Sequence, residues 1–151
     1  MRDASALYTV QKYTGITAVD AVISEQISSI NEQKIAIKWE GTVSSYAKIS
    51  LFDLCTIFSN LLSNAIESCA KQMNKKCEIY VNTYCYEERL YVDIKNPVDL
   101  EDQKVEKITT TKIDKKNHGF GIRNVQDTVK KYGGSIEYWI KSGWFEVEIL
   151  I

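Results

Sequence analysis

Histidine occurs once in the 151 residues, as His118. That excludes a metal site built from several imidazoles and any chemistry needing two of them. Proline also occurs once and glycine seven times, so the chain is not of low complexity. The sequence contains no run of about 18 apolar residues, which excludes a membrane-spanning helix. The opening stretch MRDASALYTVQKYTG lacks the apolar core of a signal peptide. Nineteen basic residues against twenty acidic ones give a net charge of −1, so no positive field points to nucleic acid. The four cysteines, Cys55, Cys69, Cys77 and Cys85, are spaced by 14, 8 and 8, with no C-x-x-C pair. The short zinc and redox motifs are therefore absent, and the expectation is four small buried hydrophobes with free thiols.

What is present fits one domain. A chain of this length buries roughly 68–70% of its unfolded surface, enough for a core without staples. Residues 1–15 show no clean period and read as a linker or the tail of an upstream helix. Thr17 is a candidate cap, and Val19, Val22, Ile23, Ile27 and Ile30 recur at helical spacing over 18–31. Residues 34–40 alternate as a half-buried strand, with Ile35, Ile37 and Trp39 on one face. The strongest helix follows, with Asp53 near its start and a wide apolar stripe of Leu54, Ile57, Phe58, Leu61, Leu62, Ala65, Ile66, Cys69 and Met73. Residues 77–86 and 89–96 form a predicted hairpin around Glu87-Glu88, closed by Pro97. A polar stretch over 98–117 precedes a third helix carrying Ile122, Val125, Val129 and Tyr132, with Gly133-Gly134 as its stop. Two strands, 135–140 and 144–151, flank a Lys141-Ser142-Gly143 turn. Hairpins mixed with helices predict an α/β (α+β) two-layer sandwich, a mixed sheet covered on one face by three helices.

Four constellations could carry chemistry. Asn60 and Asn64, in FSNLLSNAIES, share one helix face beside the apolar stripe, with Glu67 nearby. Partly buried amides need polar partners, and a hydrated magnesium ion with phosphate oxygens would serve; solvent or a neighbouring loop would serve as well. His118-Gly119-Phe120-Gly121-Ile122 opens a helix, where glycines and the helix N-terminus can cradle an anion. It is neither a P-loop nor a dinucleotide fingerprint. Thr109, Thr110, Thr111, Lys112, Lys115 and Lys116 lie on the polar stretch, able to fold over a triphosphate. Asn96 ends a strand and could read a base edge.

In that order, these features resemble the ATP-binding domain shared by sensor histidine kinases, type II topoisomerases, heat-shock chaperone ATPases and mismatch-repair proteins, the GHKL group. NLLSNAIES resembles its N box and HGFGIRNV its second glycine box. TGITAVDAVISEQI, the Asn96-Pro97 ending and TTTKIDKKNHGFGIRNV are similar to the peptide-quorum-sensing receptor kinases of Gram-positive bacteria. The resemblance implies a Bergerat-type fold over 16–151, a lid at about 98–118, and ATP and Mg2+ as cofactors. It implies that Asn64 ligates magnesium, that Asn60 lines the site as its catalytic residue, and that Glu67 and Lys71 lie at the rim. Gly119 and Gly121 would let the backbone wrap the phosphates, with Phe120 between them. Lys112 would approach the terminal phosphates, His118 would border the lid, and Ile94 and Ile122 would flank the nucleotide. Asn96 stands where the group carries the Asp of an Asp-x-Gly-x-Gly box; its carbonyl can still accept a bond from adenine. The implied reaction is phosphoryl transfer to a histidine on a separate dimerisation domain. His118 has no acidic neighbour and is not on an upstream helix, so it is not that acceptor. The implied partners are that domain and, indirectly, a response regulator, without nucleic acid or direct membrane contact. The implied location is the cytoplasmic part of a membrane-anchored kinase. A nucleotide-dependent regulatory or protein-binding module without kinase activity is the alternative.

Overall fold

The computed structural model describes residues 12–30, 34–43, 48–72, 75–99 and 120–151. In chain order the elements are α1 (Thr17–Ser28), β1 (Ile35–Gly41), α2 (Leu51–Lys71), β2 (Cys77–Tyr86), β3 (Arg89–Pro97), α3 (Phe120–Lys131), β4 (Ser135–Lys141) and β5 (Trp144–Leu150). The strands form one sheet in the order β1-β2-β3-β5-β4. β1 and β2 are parallel, joined through α2, and every other neighbouring pair is antiparallel. One sheet face carries Ile79, Val81, Leu90, Val92, Ile94, Phe145, Val147 and Ile149, all buried against the helices. The expected two-layer mixed sheet with three helices is the observed architecture. Among the described residues no helix is long and apolar enough to cross a membrane.

Local chemistry sets the element ends. The cap position of α1 is Ile16, which has no side-chain cap, so Thr17 is not the cap expected from the sequence. Instead the buried Asp20 carboxylate accepts from Thr14 N at 2.7 Å, Thr14 Oγ1 at 2.6 Å and Gly15 N at 3.2 Å. Thr14 O in turn accepts from Val43 N, and Tyr13 packs against Trp39 with ring centroids 5.2 Å apart. Tyr13 and Thr14 thus pack into the fold from N-terminal of the expected boundary at 16. α3 ends in a Schellman pair: Gly134 N donates to Val129 O and Gly133 N to Lys130 O, with Gly133 at φ +67°. Glu87-Glu88 and Ser142-Gly143 both take positive φ, the geometry of tight two-residue hairpins.

Asp53 ties α2 to α3. Ser50 caps α2 by accepting from Asp53 N, and the Asp53 carboxylate accepts from Ser50 Oγ, Lys131 Nζ and Tyr132 OH. These bonds, Lys131 foremost, hold the Asp53 carboxyl down at about 2. A depressed carboxyl pKa adds stability above the unfolded value, which is lost as pH falls through the folded value. Asp53→Asn is therefore expected to lower the melting temperature at neutral pH by a few degrees, about 1–2 kcal/mol. It should also flatten the acid limb of stability between about pH 4 and 2, read by circular dichroism melts.

The cysteines depart from the expectation of four free thiols. Cys69, in the last turn of α2, and Cys77, the first residue of β2, form a disulfide with Cα atoms 5.7 Å apart. Cys55 and Cys85 are in no disulfide and are half-buried. The fold folds back after α2 and brings two buried sulfurs together, which spacing alone could not reveal. Met73, placed on the apolar stripe by its spacing, lies outside the described residues.

Among the described residues nothing packs over the other sheet face, which is open. Cross-strand register sets its rows: Tyr84, Tyr91 and Leu150; then Asn82, Asp93, Glu148 and Glu137; then Tyr80, Lys95, Glu146 and Trp139. Tyr84 stacks on Tyr91 at 4.6 Å, Tyr80 meets Trp144 edge-on at 5.7 Å, and Lys95 Nζ lies 5.5 Å from the Tyr80 ring centre. Burial and the neighbouring Glu146 and Glu148 push the Asp93 carboxyl up to about 6, against the pull of Lys95. A raised carboxyl pKa favours the fold below the unfolded value, and that gain is lost as pH rises through the folded value. Asp93→Asn is expected to raise the melting temperature at about pH 7.5 and not at about pH 4. With solvent screening at this half-buried site the gain is about 1 kcal/mol, measurable by paired thermal melts.

Candidate functional site

The candidate site is the seam where the start of α3 meets the middle of α2. Helical spacing turns Asn60 and Asn64 to one side of α2, beside the buried Leu61, Leu62 and Ala65. Gly121, in the first turn of α3, faces both. A Cβ at Gly121 would lie 3.1 Å from Asn64 Oδ1, 3.3 Å from Asn64 Nδ2 and 3.3 Å from Asn60 Oδ1. Both amide oxygens therefore converge on one point, kept open because the residue there is glycine. Asn60 Nδ2 is spent on Thr56 O at 2.7 Å, which leaves its carbonyl oxygen for the seam. Asn64 Nδ2 is buried and has no hydrogen-bond partner. An orphaned buried donor costs free energy unless a ligand satisfies it.

These residues fit a hard divalent cation with phosphate oxygens. The donors are neutral amide oxygens, so an ion held there would keep its charge for an anion. The first amides of α3 have no partner within the helix and favour negative charge. From the second strand pair, Asn96 is buried and its Nδ2 donates to Pro97 O at 3.1 Å. The same carbonyl accepts from Gln72 Nε2 at 2.8 Å and Ser68 Oγ at 3.4 Å, which anchors the end of β3 to α2. Ile94 and Ile122 both lie in the buried core cluster. Glu67 and Lys71 are exposed on α2.

A family model described as a GHKL domain matches residues 49–151. The chain belongs to the GHKL domain family. This GHKL domain is 29% identical over 124 residues to the sensor protein CitS of Bacillus subtilis, covering 79% of the chain. It spans only 23% of the length of CitS. Its fold is that of the catalytic domain of the histidine kinase ThkA: TM-score 0.60, 13% identity, 92% of each chain covered. The histidine kinase AdeS of Acinetobacter baumannii gives a TM-score of 0.59 at 14% identity, over 93% of this chain and 66% of that one.

Of the residues singled out by sequence, the GHKL fold brings Asn60, Asn64 and Gly121 together. Lys112, His118 and Gly119 lie outside the described residues, as does most of the lid, and Phe120 is the first residue of α3. Sequence reasoning missed an open groove of about 550 Å³ between α2 and α3, lined by Phe52, Cys55, Thr56, Ser59 and Asn60 and by Asn124, Asp127 and Thr128. Its signal was present: Asn124, Asp127 and Thr128 sit at i, i+3 and i+4 on α3. Phe52, among the lining residues, is 79% exposed.

Proposed function

We propose that this GHKL domain binds Mg-ATP at the α2–α3 seam and transfers the γ-phosphoryl to a histidine on a separate dimerisation domain. The observation that carries the reading is the convergence of Asn60 and Asn64 on Gly121, with the Asn64 amide nitrogen buried and unpartnered. Asn64 would hold the ion and Asn60 would present its carbonyl oxygen beside it. The magnesium ion, when bound, neutralises phosphate charge and fixes the triphosphate. Phosphoryl transfer asks the protein for position and electrostatic stabilisation more than for covalent help. The first amides of α3 would supply part of that stabilisation. Ile94 and Ile122 would be apolar neighbours of the nucleotide, and Glu67 and Lys71 would stand at the rim. Asn96 would accept from adenine through Oδ1, since Nδ2 is already committed to Pro97 O. Lys112, His118, Gly119 and Phe120 would close over the phosphates from the lid. The α2–α3 groove beside Asn60 offers the acceptor helix an approach, with Phe52 as its apolar contact.

We read the parent protein as a membrane-anchored receptor kinase of the peptide-quorum-sensing kind, with a response regulator downstream and this domain in the cytoplasm. TGITAVDAVISEQI and TTTKIDKKNHGFGIRNV support that reading. Calorimetric titration with Mg-ATP and with ADP tests the nucleotide site; a folded domain that takes up neither at millimolar concentration overturns it. Labelled phosphohistidine on an added dimerisation domain tests transfer. A nucleotide-dependent module without transfer is the second reading, favoured by Asn96 standing where the group carries Asp. Binding without phosphohistidine would select it.

A further inference from the structure

The open face of the sheet concentrates charge in a way that stability alone does not explain. Ligand oxygens of Asp93, Glu146 and Glu148 all lie within 4.8 Å of one another. Glu137 pairs with Glu148 on the next strand and extends the acidic row. Lys95 is the cation set among them, in register with Glu146. Like charges opposed across strands destabilise a sheet, so the cluster costs the free domain stability. Asp93 Oδ1 is buried with no hydrogen-bond partner, whereas Glu148 holds the Tyr91 hydroxyl. Ring pairs bracket the carboxylates: Tyr84 on Tyr91 to one side, Tyr80 against Trp144 to the other. Tyr84 and Tyr86 are exposed. Lys95 over Tyr80 already demonstrates a cation lying on a ring of this face.

We propose that this open face docks an arginine-bearing segment of a protein partner, its guanidinium seated on Asp93, Glu146 and Glu148 between the two ring pairs. Charge complementarity selects a cation, and the rings select a planar one. A guanidinium offers five donors in a fixed fork and stacks on aromatic faces, whereas an ammonium is a compact, strongly hydrated charge. Carboxylates beside tyrosine and tryptophan are also the setting in which arginine anchors protein interfaces. The proposal does not depend on the nucleotide seam, which lies on the helical side of the sheet.

The test is an NMR titration of the 15N-labelled chain with acetyl-Gly-Arg-Gly-Arg-Gly-amide, at roughly 0.15 M ionic strength. Peptides with lysine and with citrulline in place of arginine run in parallel. The expected result is saturable shifts concentrated in 91–95 and 144–149, at least about fivefold weaker binding of the lysine peptide, and none of the citrulline peptide. Asp93→Asn with Glu148→Gln should weaken the arginine peptide by at least about tenfold. Equal binding of lysine and arginine, shifts scattered over other acidic residues, or no saturable shift would overturn the proposal. So would saturation of the same amides by calcium or magnesium chloride alone, which would make the cluster a metal site.

Discussion

Asn64→Ala is expected to lower Mg-ATP affinity by at least about 100-fold, roughly 2.7 kcal/mol, while leaving the nucleotide-free domain almost as stable as before. The two halves of that expectation come from the same atoms. Asn64 Oδ1 is one of the two oxygens that meet at Gly121, so its loss removes a donor that no neighbour replaces. Asn64 Nδ2 is buried without a partner, so the free domain loses no hydrogen bond there when the amide goes. Removing an orphaned polar group can be neutral or stabilising, where removing a paired one costs about 1–3 kcal/mol. Titration calorimetry reads the first half and thermal melting the second. A melting temperature that drops by about 6 °C or more with affinity intact would make Asn64 a structural residue. Gly121→Val is a companion from the opposite helix: it places carbon about where the two oxygens converge, and nucleotide affinity should fall with both asparagines still present.

The largest loss of stability should come from Gly41→Ala. Gly41 closes β1 at φ +83° and sits opposite Thr83 of β2. A Cβ there would lie 1.7 Å from Thr83 O and 2.9 Å from Thr83 C, both backbone atoms. No rotamer change relieves a clash with backbone, so β1 must peel from β2 or shift its register. Left-handed φ adds roughly 1–2 kcal/mol for any residue with a Cβ. The sum should exceed about 3 kcal/mol, near 10 °C in melting temperature for a domain of this size. A variant that melts within a few degrees of the parent would show that the end of β1 yields cheaply.

Sequence periodicity made most of the elements legible because each is written locally. The alternation of Ile79, Val81 and Thr83, and of Leu90, Val92 and Ile94, needs only its own strand to declare an inward face. Asn60 and Asn64 were legible for the same reason, since four residues is one helical turn. Features that depend on two distant elements were not. The approach of Gly121 to both asparagines depends on how α3 lies on α2, and the bond from Lys131 to Asp53 spans 78 positions. The Cys69–Cys77 disulfide needed the approach of the end of α2 to the start of β2. The acidic cluster needed the β3–β5 register, which sets Asp93 against Glu148. Thr14 was unreadable because its partner Asp20 looks, in sequence, like an ordinary first-turn helix acid.

The pairing of β3 with β5 has a consequence for how the molecule can be divided. The described residues up to Asp99 fold around α2 and three neighbouring strands of the sheet, and those from Phe120 onward are one helix and one hairpin. Among the described residues the only strand pairing between these two parts is a single seam of seven residue pairs, from Tyr91 opposite Leu150 to Pro97 opposite Trp144. A backbone nick between Asp99 and Phe120 severs none of those pairs. Expressed as two pieces, the halves should reassemble by strand complementation. That would make the domain a candidate for split-reporter use, with the break placed between β3 and α3.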